Sequence, residues 1–200
     1  MIKFLLSKST AKQQHIYERL FERHQAHHKA LHWSAPESQT VRFEQFLKAG
    51  KLQGAKILDL GCGLGDFYGF LRDRGIEVDY TGYDIVPGFV RSARTRFPSA
   101  RFEERNILIR PSSERFDYIF ASGLFAFGSP LFFKEMSRAA YRMCDLAWVF
   151  NLYLPSGHDG RFLNLSISEA KRFCQSLEPA QTIVNQSYLD DDITFCLYKK

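Results

Sequence analysis

Lys56-Ile57-Leu58-Asp59-Leu60-Gly61-Cys62-Gly63-Leu64-Gly65-Asp66 is the stretch that decides the fold of this chain. An aliphatic run flows into glycines at three alternate positions. An amphipathic segment over residues 64–74 follows, with Phe67, Phe70 and Leu71 on one face and Gly75 as its stop. This reads as a strand, a turn of residues that tolerate left-handed backbone, and a helix whose N-terminus opens beside the turn. In such a turn a ligand can approach bare backbone.

Downstream, short β-branched or aromatic runs alternate with amphipathic ones, the pattern of an α/β protein built around a mainly parallel sheet. Strands are expected at 78–83, 100–103, 116–122 and 146–152. The 146–152 run is apolar on both faces, as a central strand should be. Helices are expected from Pro87 to Phe97, from Ser129-Pro130 to about Met143, and after Ser166, which with Glu169 forms a capping box. The final runs, 182–189 and 193–198, are separated only by Asp190-Asp191-Asp192. So short a link cannot make a parallel crossover, so they form an antiparallel hairpin. Upstream, residues 12–31 read as a helix with Ile16, Leu20, His24, His27 and Leu31 on one arc and Tyr17, Phe21 and His28 along its edge. A second helix spans 37–49. With no strand to join, both are expected to lie across one end or face of the sheet.

The glycine turn must be tested first as a pyrophosphate site. A dinucleotide fingerprint requires a third glycine where Asp66 stands, and Asp59 precedes the first glycine. Two carboxylates around the turn repel pyrophosphate and suit a ligand bearing positive charge. S-adenosylmethionine, with an ammonium group and a sulfonium centre, is such a ligand. Asp59 is placed to meet the ammonium, and the 61–65 backbone to pack on the methionyl and ribose parts. Asp84 lies 19 residues past Gly65, close to the spacing of about 20 at which an acid receives ribose hydroxyls. Ile85 then falls on the adenine face.

With these residues in view, Ile57 to Gly65 together with Tyr83-Asp84 resembles the class I S-adenosylmethionine-dependent methyltransferases, over about residues 55–200. The resemblance implies a Rossmann-like seven-stranded sheet ending in the antiparallel hairpin. It divides the chain into a helical extension or lid at 1–54 and a methyltransferase domain at 55–200, together one compact domain. It implies cofactor contacts at Asp59, Gly61, Cys62, Gly63, Gly65, Asp84 and Ile85. Asn106 and Ile107 stand where the family, usually with an Asp after Gly, meets the adenine amino group; here the pair is Arg105-Asn106. Ser122, in Ala121-Ser122-Gly123-Leu124-Phe125, stands where the family flanks the cofactor and faces substrate. The extension, with Trp33-Ser34, Gln39 and Arg42-Phe43, is similar to small bacterial members in which a preceding helix closes over the cofactor. Trp33 is counted with the cofactor contacts on that basis. Arg42 is a candidate for the methionyl carboxylate, which a guanidinium matches bidentately.

Other clusters carry less. His24, His27, His28 and His32 have helical spacing but no cysteine pair and no H-E-x-x-H, so a metal site is not expected and packing or pocket lining is. His24, His27, His28 and the loop residue His158 are the candidate bases. Phe125, Phe127, Phe132, Phe133 and Tyr153 read as core packing or a pocket wall. Cys62 has no neighbour in sequence to lower its thiol pKa, so it reads as packing. The four cysteines are irregularly spaced and suit a reducing cytoplasm. No window suggests a membrane span or a cleaved signal.

The 200-residue chain is 45% hydrophobic and 24% charged, so it can bury one core, and it carries net charge +5. Residues 1–32 hold six Lys or Arg against two acids, so four of the five charges sit on the extension. That distribution points away from a basic nucleic-acid-binding body. Ser122-Gly123-Leu124-Phe125 lacks the Asn/Asp-Pro-Pro-aromatic motif of exocyclic-amine methylation, and no Pro-Cys nucleophile serves base carbons. The expected enzyme is therefore a methyltransferase of small molecules. RNA or protein acceptors, and a catalytically silent cofactor-binding module, are the competing classes. The sequence leaves the oligomeric state open.

Overall fold

The computed structural model describes residues 2–24, 36–153 and 162–200. Six helices are seen in these residues: α1 (Ile2–His24), α2 (Pro36–Leu47), α3 (Asp66–Asp73), α4 (Pro87–Arg96), α5 (Pro130–Met143) and α6 (Ile167–Gln175). The strands are β1 (Lys56–Leu60), β2 (Asp79–Asp84), β3 (Arg101–Glu104), β4 (Phe116–Ala121), β5 (Cys144–Tyr153), β6 (Gln181–Asn185) and β7 (Asp192–Tyr198). They form one sheet in the order β3-β2-β1-β4-β5-β7-β6. β1 to β5 pair in parallel, and β7 runs antiparallel between β5 and β6. This is the Rossmann-like sheet with its terminal hairpin that the sequence predicts.

Alternate strand residues are buried on opposite faces. Ile57, Phe120 and Val149 pack under Phe43 and Phe46 of α2, Phe67 and Leu71 of α3, and Val90 and Ala93 of α4. Leu58, Ile119, Trp148, Phe150 and Phe195 pack under Phe133, Met136 and Ala140 of α5 and Phe173 of α6. Burial on both faces removes the strands' alternation of polar and apolar residues. Ser129 caps α5 by accepting from the Phe132 N–H, and Ser166 with Glu169 closes a full capping box on α6.

Two expectations change. The first helix begins at residue 2 rather than 12. Its inward face runs through Leu6, Thr10 and Gln13, all buried, so polar residues interrupt the apolar period exactly where the helix continues. Strand β6 is also shorter than expected, ending at Asn185. There the Asn185 Oδ1 accepts from the Ser187 N–H at 3.0 Å and from its hydroxyl at 2.7 Å, turning the chain outward. Asp192 is therefore the first residue of β7 rather than part of a three-residue link.

Helix α1 lies across the carboxyl ends of the strands. At one end Leu6 joins the α5 side of the core, and at the other Phe21 packs on Gly88 and Phe89 of α4.

Candidate functional site

A cavity of about 720 Å³ lies between α1, α2 and the carboxyl ends of β1, β2, β4 and β5. Its size is within the roughly 300–1,000 Å³ of small-molecule sites. Thr10, Gln13, Tyr17, Leu20 and His24 line it from α1. Gly61 to Gly63, Asp84 and Ile85 line it at the β1 and β2 ends, and Ser122 to Leu124 at the β4 end.

The glycine turn uses its own amides internally. Gly61 and Cys62 donate to the Tyr83 carbonyl at 2.8 and 3.1 Å, Gly65 donates to the Cys62 carbonyl, and Gly63 donates to Asp84 Oδ2 at 2.9 Å. Gly61, Gly63 and Gly65 all hold left-handed φ, which the turn requires. With these N–H groups committed, the turn offers a ligand a close backbone surface and not a phosphate cradle. Gly82 extends that close packing. A Cβ there would stand 2.7 Å from the Phe102 ring and 2.8 Å from Cys62 Sγ.

Asp59 and Asp84 are both buried and both face the cavity. Asp59 accepts from the Tyr80 hydroxyl at 2.6 Å. Burial pushes its carboxyl up to about 7, the Tyr80 bond opposes this, and Asp84 and Asp66 add to it. Asp84 receives the Val86 N–H on Oδ1 at 2.8 Å, and burial raises it to about 6 against its backbone donors. Asp66, read from sequence as one of the two acids around the turn, is instead ion-paired with Arg96 and accepts from Gln39 Nε2 at 3.3 Å. Of the acids around the glycine turn, Asp59 and Asp84 are therefore the two that face the cavity.

Ile85, Asn106, Ile107 and Ser122 all line the same cavity. Asn106 accepts from the Leu108 N–H at 2.9 Å and donates to Thr10 Oγ1 at 3.3 Å, fastening the loop after β3 to α1. Cys62 is buried and free, and burial with Asp84 nearby holds its thiol well above its ordinary pKa, consistent with packing. The Tyr17 phenol, also raised by burial and by Asp84, stays neutral. Its ring meets Phe89 and Phe127, Phe127 stacks on Phe162, and Phe162 meets Tyr153 edge-on. Phe125 and Phe133 belong to the core, whereas Phe132 and Tyr153 reach the cavity.

Arg42 departs from its expected role. Its guanidinium does line the cavity, but Nε and Nη2 hold Asp192 Oδ2 at 2.6 and 2.5 Å, and Nη1 reaches the Ser38 carbonyl. Asp192 also accepts from Asn151 Nδ2 at 2.8 Å and from the Tyr188 hydroxyl at 2.5 Å. Asn151 Oδ1 in turn accepts from the Gly123 N–H at 2.8 Å. One buried network thus ties α2, the start of β7 and the end of β5 to the turn after β4. Sequence reading passed over Asp192 because it looked like loop. It also missed Gln13, a polar residue on the same arc as Leu20 and His24.

Trp33, His27, His28, His32 and His158 lie outside the described residues. Of the candidate bases, His24 is described, and it lines the cavity. Among the described residues no group of three or more His, Cys, Asp or Glu is placed to hold a metal ion. No described helix is long and apolar enough to cross a membrane.

Residues 57–145 match the family model of a methyltransferase domain. A Mycobacterium tuberculosis protein whose name assigns it provisionally to the methyltransferases is 42% identical over 69 residues, covering 34% of this chain and 41% of that one. The trans-aconitate 2-methyltransferase of Escherichia coli is 31% identical over 93 residues, covering 46% of this chain and 36% of the enzyme. The chain thus spans less than half the length of these relatives. Among solved structures, the magnesium protoporphyrin IX methyltransferase of Synechocystis, with bound S-adenosylhomocysteine, superposes over 100% of both chains with TM-score 0.69 at 12% identity. That likeness is one of fold.

Proposed function

We propose that this chain, a member of the class I S-adenosylmethionine-dependent methyltransferase superfamily by its fold and its methyltransferase domain, transfers a methyl group from S-adenosylmethionine to a small-molecule acceptor. The observation that carries the reading is the pair of buried acids beside a glycine turn whose amides are already committed. Such a site rejects pyrophosphate and favours a ligand carrying positive charge and a diol. The donor set fits: Asp59 faces the ammonium, Asp84 the ribose hydroxyls, Ile85 and Ile107 the adenine, and Asn106 its edge. Ser122 and the backbone of Gly61, Cys62 and Gly63 complete the wall, whereas Gly65 packs against Phe97 and Phe102 behind it.

Bound there, the sulfonium would supply the reactive methyl for in-line displacement by the acceptor atom. The protein's contribution is alignment and exclusion of water. Helix α1, through Tyr17 and Leu20, and the Phe162 ring line the cavity, with Phe127 packed behind Tyr17 and Phe162. Leu124, Phe132 and Met136 give an apolar wall on the β4 and α5 side. A cavity of about 720 Å³ suits a small acceptor better than a nucleic-acid strand.

The raised Asp59 carboxyl makes cofactor affinity pH-dependent. The ammonium prefers ionised Asp59, so affinity should rise as pH climbs through about 7, with proton release on binding near neutrality, until the ligand's own α-ammonium begins to lose its proton. Titrations in buffers of different ionisation enthalpy, from pH 6 to 8.5, read both effects. Asp59→Asn should remove the rise near 7 and leave only the smaller change that Asp84 contributes from about 6. A flat wild-type profile contradicts the assigned partner.

Methyl transfer is tested by incubating the protein with methyl-labelled S-adenosylmethionine and cell extract divided into small-molecule, RNA and protein fractions. Label is expected in the small-molecule fraction. Label confined to RNA or protein, or in no fraction, contradicts the proposal.

A further inference from the structure

Resting on that functional reading, we infer that Gln13 of α1 selects the acceptor. Its unpartnered Nε2 takes an uncharged oxygen of a molecule whose body is apolar, and the Ser122 hydroxyl lines the same cavity. Four buried side-chain polar atoms among the described residues have no hydrogen-bond partner: Gln13 Nε2, Ser122 Oγ, Ser137 Oγ and Trp148 Nε1. Only the first two belong to residues that line the cavity. Gln13 is 3% exposed, so its amide is desolvated without a partner in the protein. Buried donors left unmatched are costly, and a ligand oxygen removes that cost. An unmatched donor on α1, in a cavity that also presents the Ser122 hydroxyl, therefore points to a ligand oxygen.

The neighbours decide the rest of the class. Leu124, Ala126, Phe132 and Met136 line the adjoining wall, which suits an apolar or aromatic body. Five aspartates, Asp59, Asp84, Asp190, Asp191 and Asp192, line the cavity against the arginines Arg42 and Arg105. Arg42 is matched with Asp192, and Arg105 donates to Glu103 at 3.1 Å. Aspartates thus outnumber arginines in the lining, and the cofactor's positive charge offsets only part of that excess, which opposes an anionic acceptor. A carboxylate is thereby disfavoured by charge, and a bare ammonium would leave the Gln13 N–H unmatched. A neutral hydroxyl, carbonyl or amide oxygen satisfies both conditions.

Three probes of one skeleton test this: 3-phenylpropanamide, 3-phenylpropionate and 3-phenylpropylamine, each titrated into protein saturated with S-adenosylhomocysteine and followed by saturation-transfer NMR. The amide is expected to bind about tenfold more tightly than the other two, the size of one well-made hydrogen bond. Gln13→Leu, which removes an unmatched amide from an apolar setting and should leave the fold intact, is expected to erase that preference. It should leave S-adenosylhomocysteine affinity within about twofold. Gln13→Glu, a second variant, should turn the preference toward the amine. The inference is overturned if the carboxylate or amine binds wild type at least as tightly as the amide, if no probe binds, or if neither variant alters the order. Failure of wild type to bind S-adenosylhomocysteine overturns the functional reading itself, and this inference with it.

Discussion

Asp192→Ala is expected to lower the unfolding free energy by about 3–5 kcal/mol, the usual result of removing one partner from a buried ion pair. The side chains of Arg42 and Asp192 are 7% and 1% exposed, so removing the carboxylate leaves a largely buried guanidinium without this counter-ion. Asn151 and Tyr188 lose an acceptor in the same step. Urea unfolding of wild type and variant measures the effect, with an unchanged slope showing that the compactness of the two states is unaltered. Asp192→Asn, which retains an acceptor oxygen, should lose less. Replacing both partners, as Arg42→Met with Asp192→Leu, should recover much of the loss, because apolar pairs fill such sites well. A loss below about 1 kcal/mol for Asp192→Ala would place the pair among solvent-screened contacts and contradict its burial.

The second large effect concerns the cofactor. Asp84→Ala should weaken S-adenosylhomocysteine binding by about a hundredfold or more. Hydrogen bonds to a charged group contribute about 1.5–3 kcal/mol each, and a carboxylate facing a ribose can accept two. At 1.4 kcal/mol per tenfold, that range spans about 10²- to 10⁴-fold. Asp84 also holds the Gly63 and Val86 N–H groups, so its removal loosens the turn as well as the ligand contact. Asp84→Asn separates the two roles. Its amide oxygen can still accept from the chain, so turn geometry should survive better than affinity. Near-UV circular dichroism checks the fold of both variants.

The parts of the site legible in the sequence are those whose chemistry is local. Gly61, Gly63 and Gly65 announce a turn through their backbone, and Asp84 announces itself by its distance from that turn. Both readings need only a strand and a helix that propensity already supplies. Ser166 and Glu169 are legible for the same reason, since a capping box closes within four residues. Arg42 and Asp192 are not, because they meet across 150 residues and only the sheet order brings them together. Gln13 escapes because hydropathy periodicity records apolar burial, and the helix face over a cavity is selected for what it binds. Asp66 misleads for a related reason. Its charge is visible in the sequence, whereas its pairing with Arg96 of α4 depends on how two helices pack.

The central claim is that the cavity beside the glycine turn binds S-adenosylmethionine and its demethylated product. Isothermal titration of the wild-type protein with S-adenosylhomocysteine at pH 8, where Asp59 and Asp84 are largely ionised, tests it most directly. The account predicts saturable binding with one site per chain, lost in Asp84→Ala. Absence of binding by a folded wild-type protein, or binding that Asp84→Ala leaves unchanged, would contradict it.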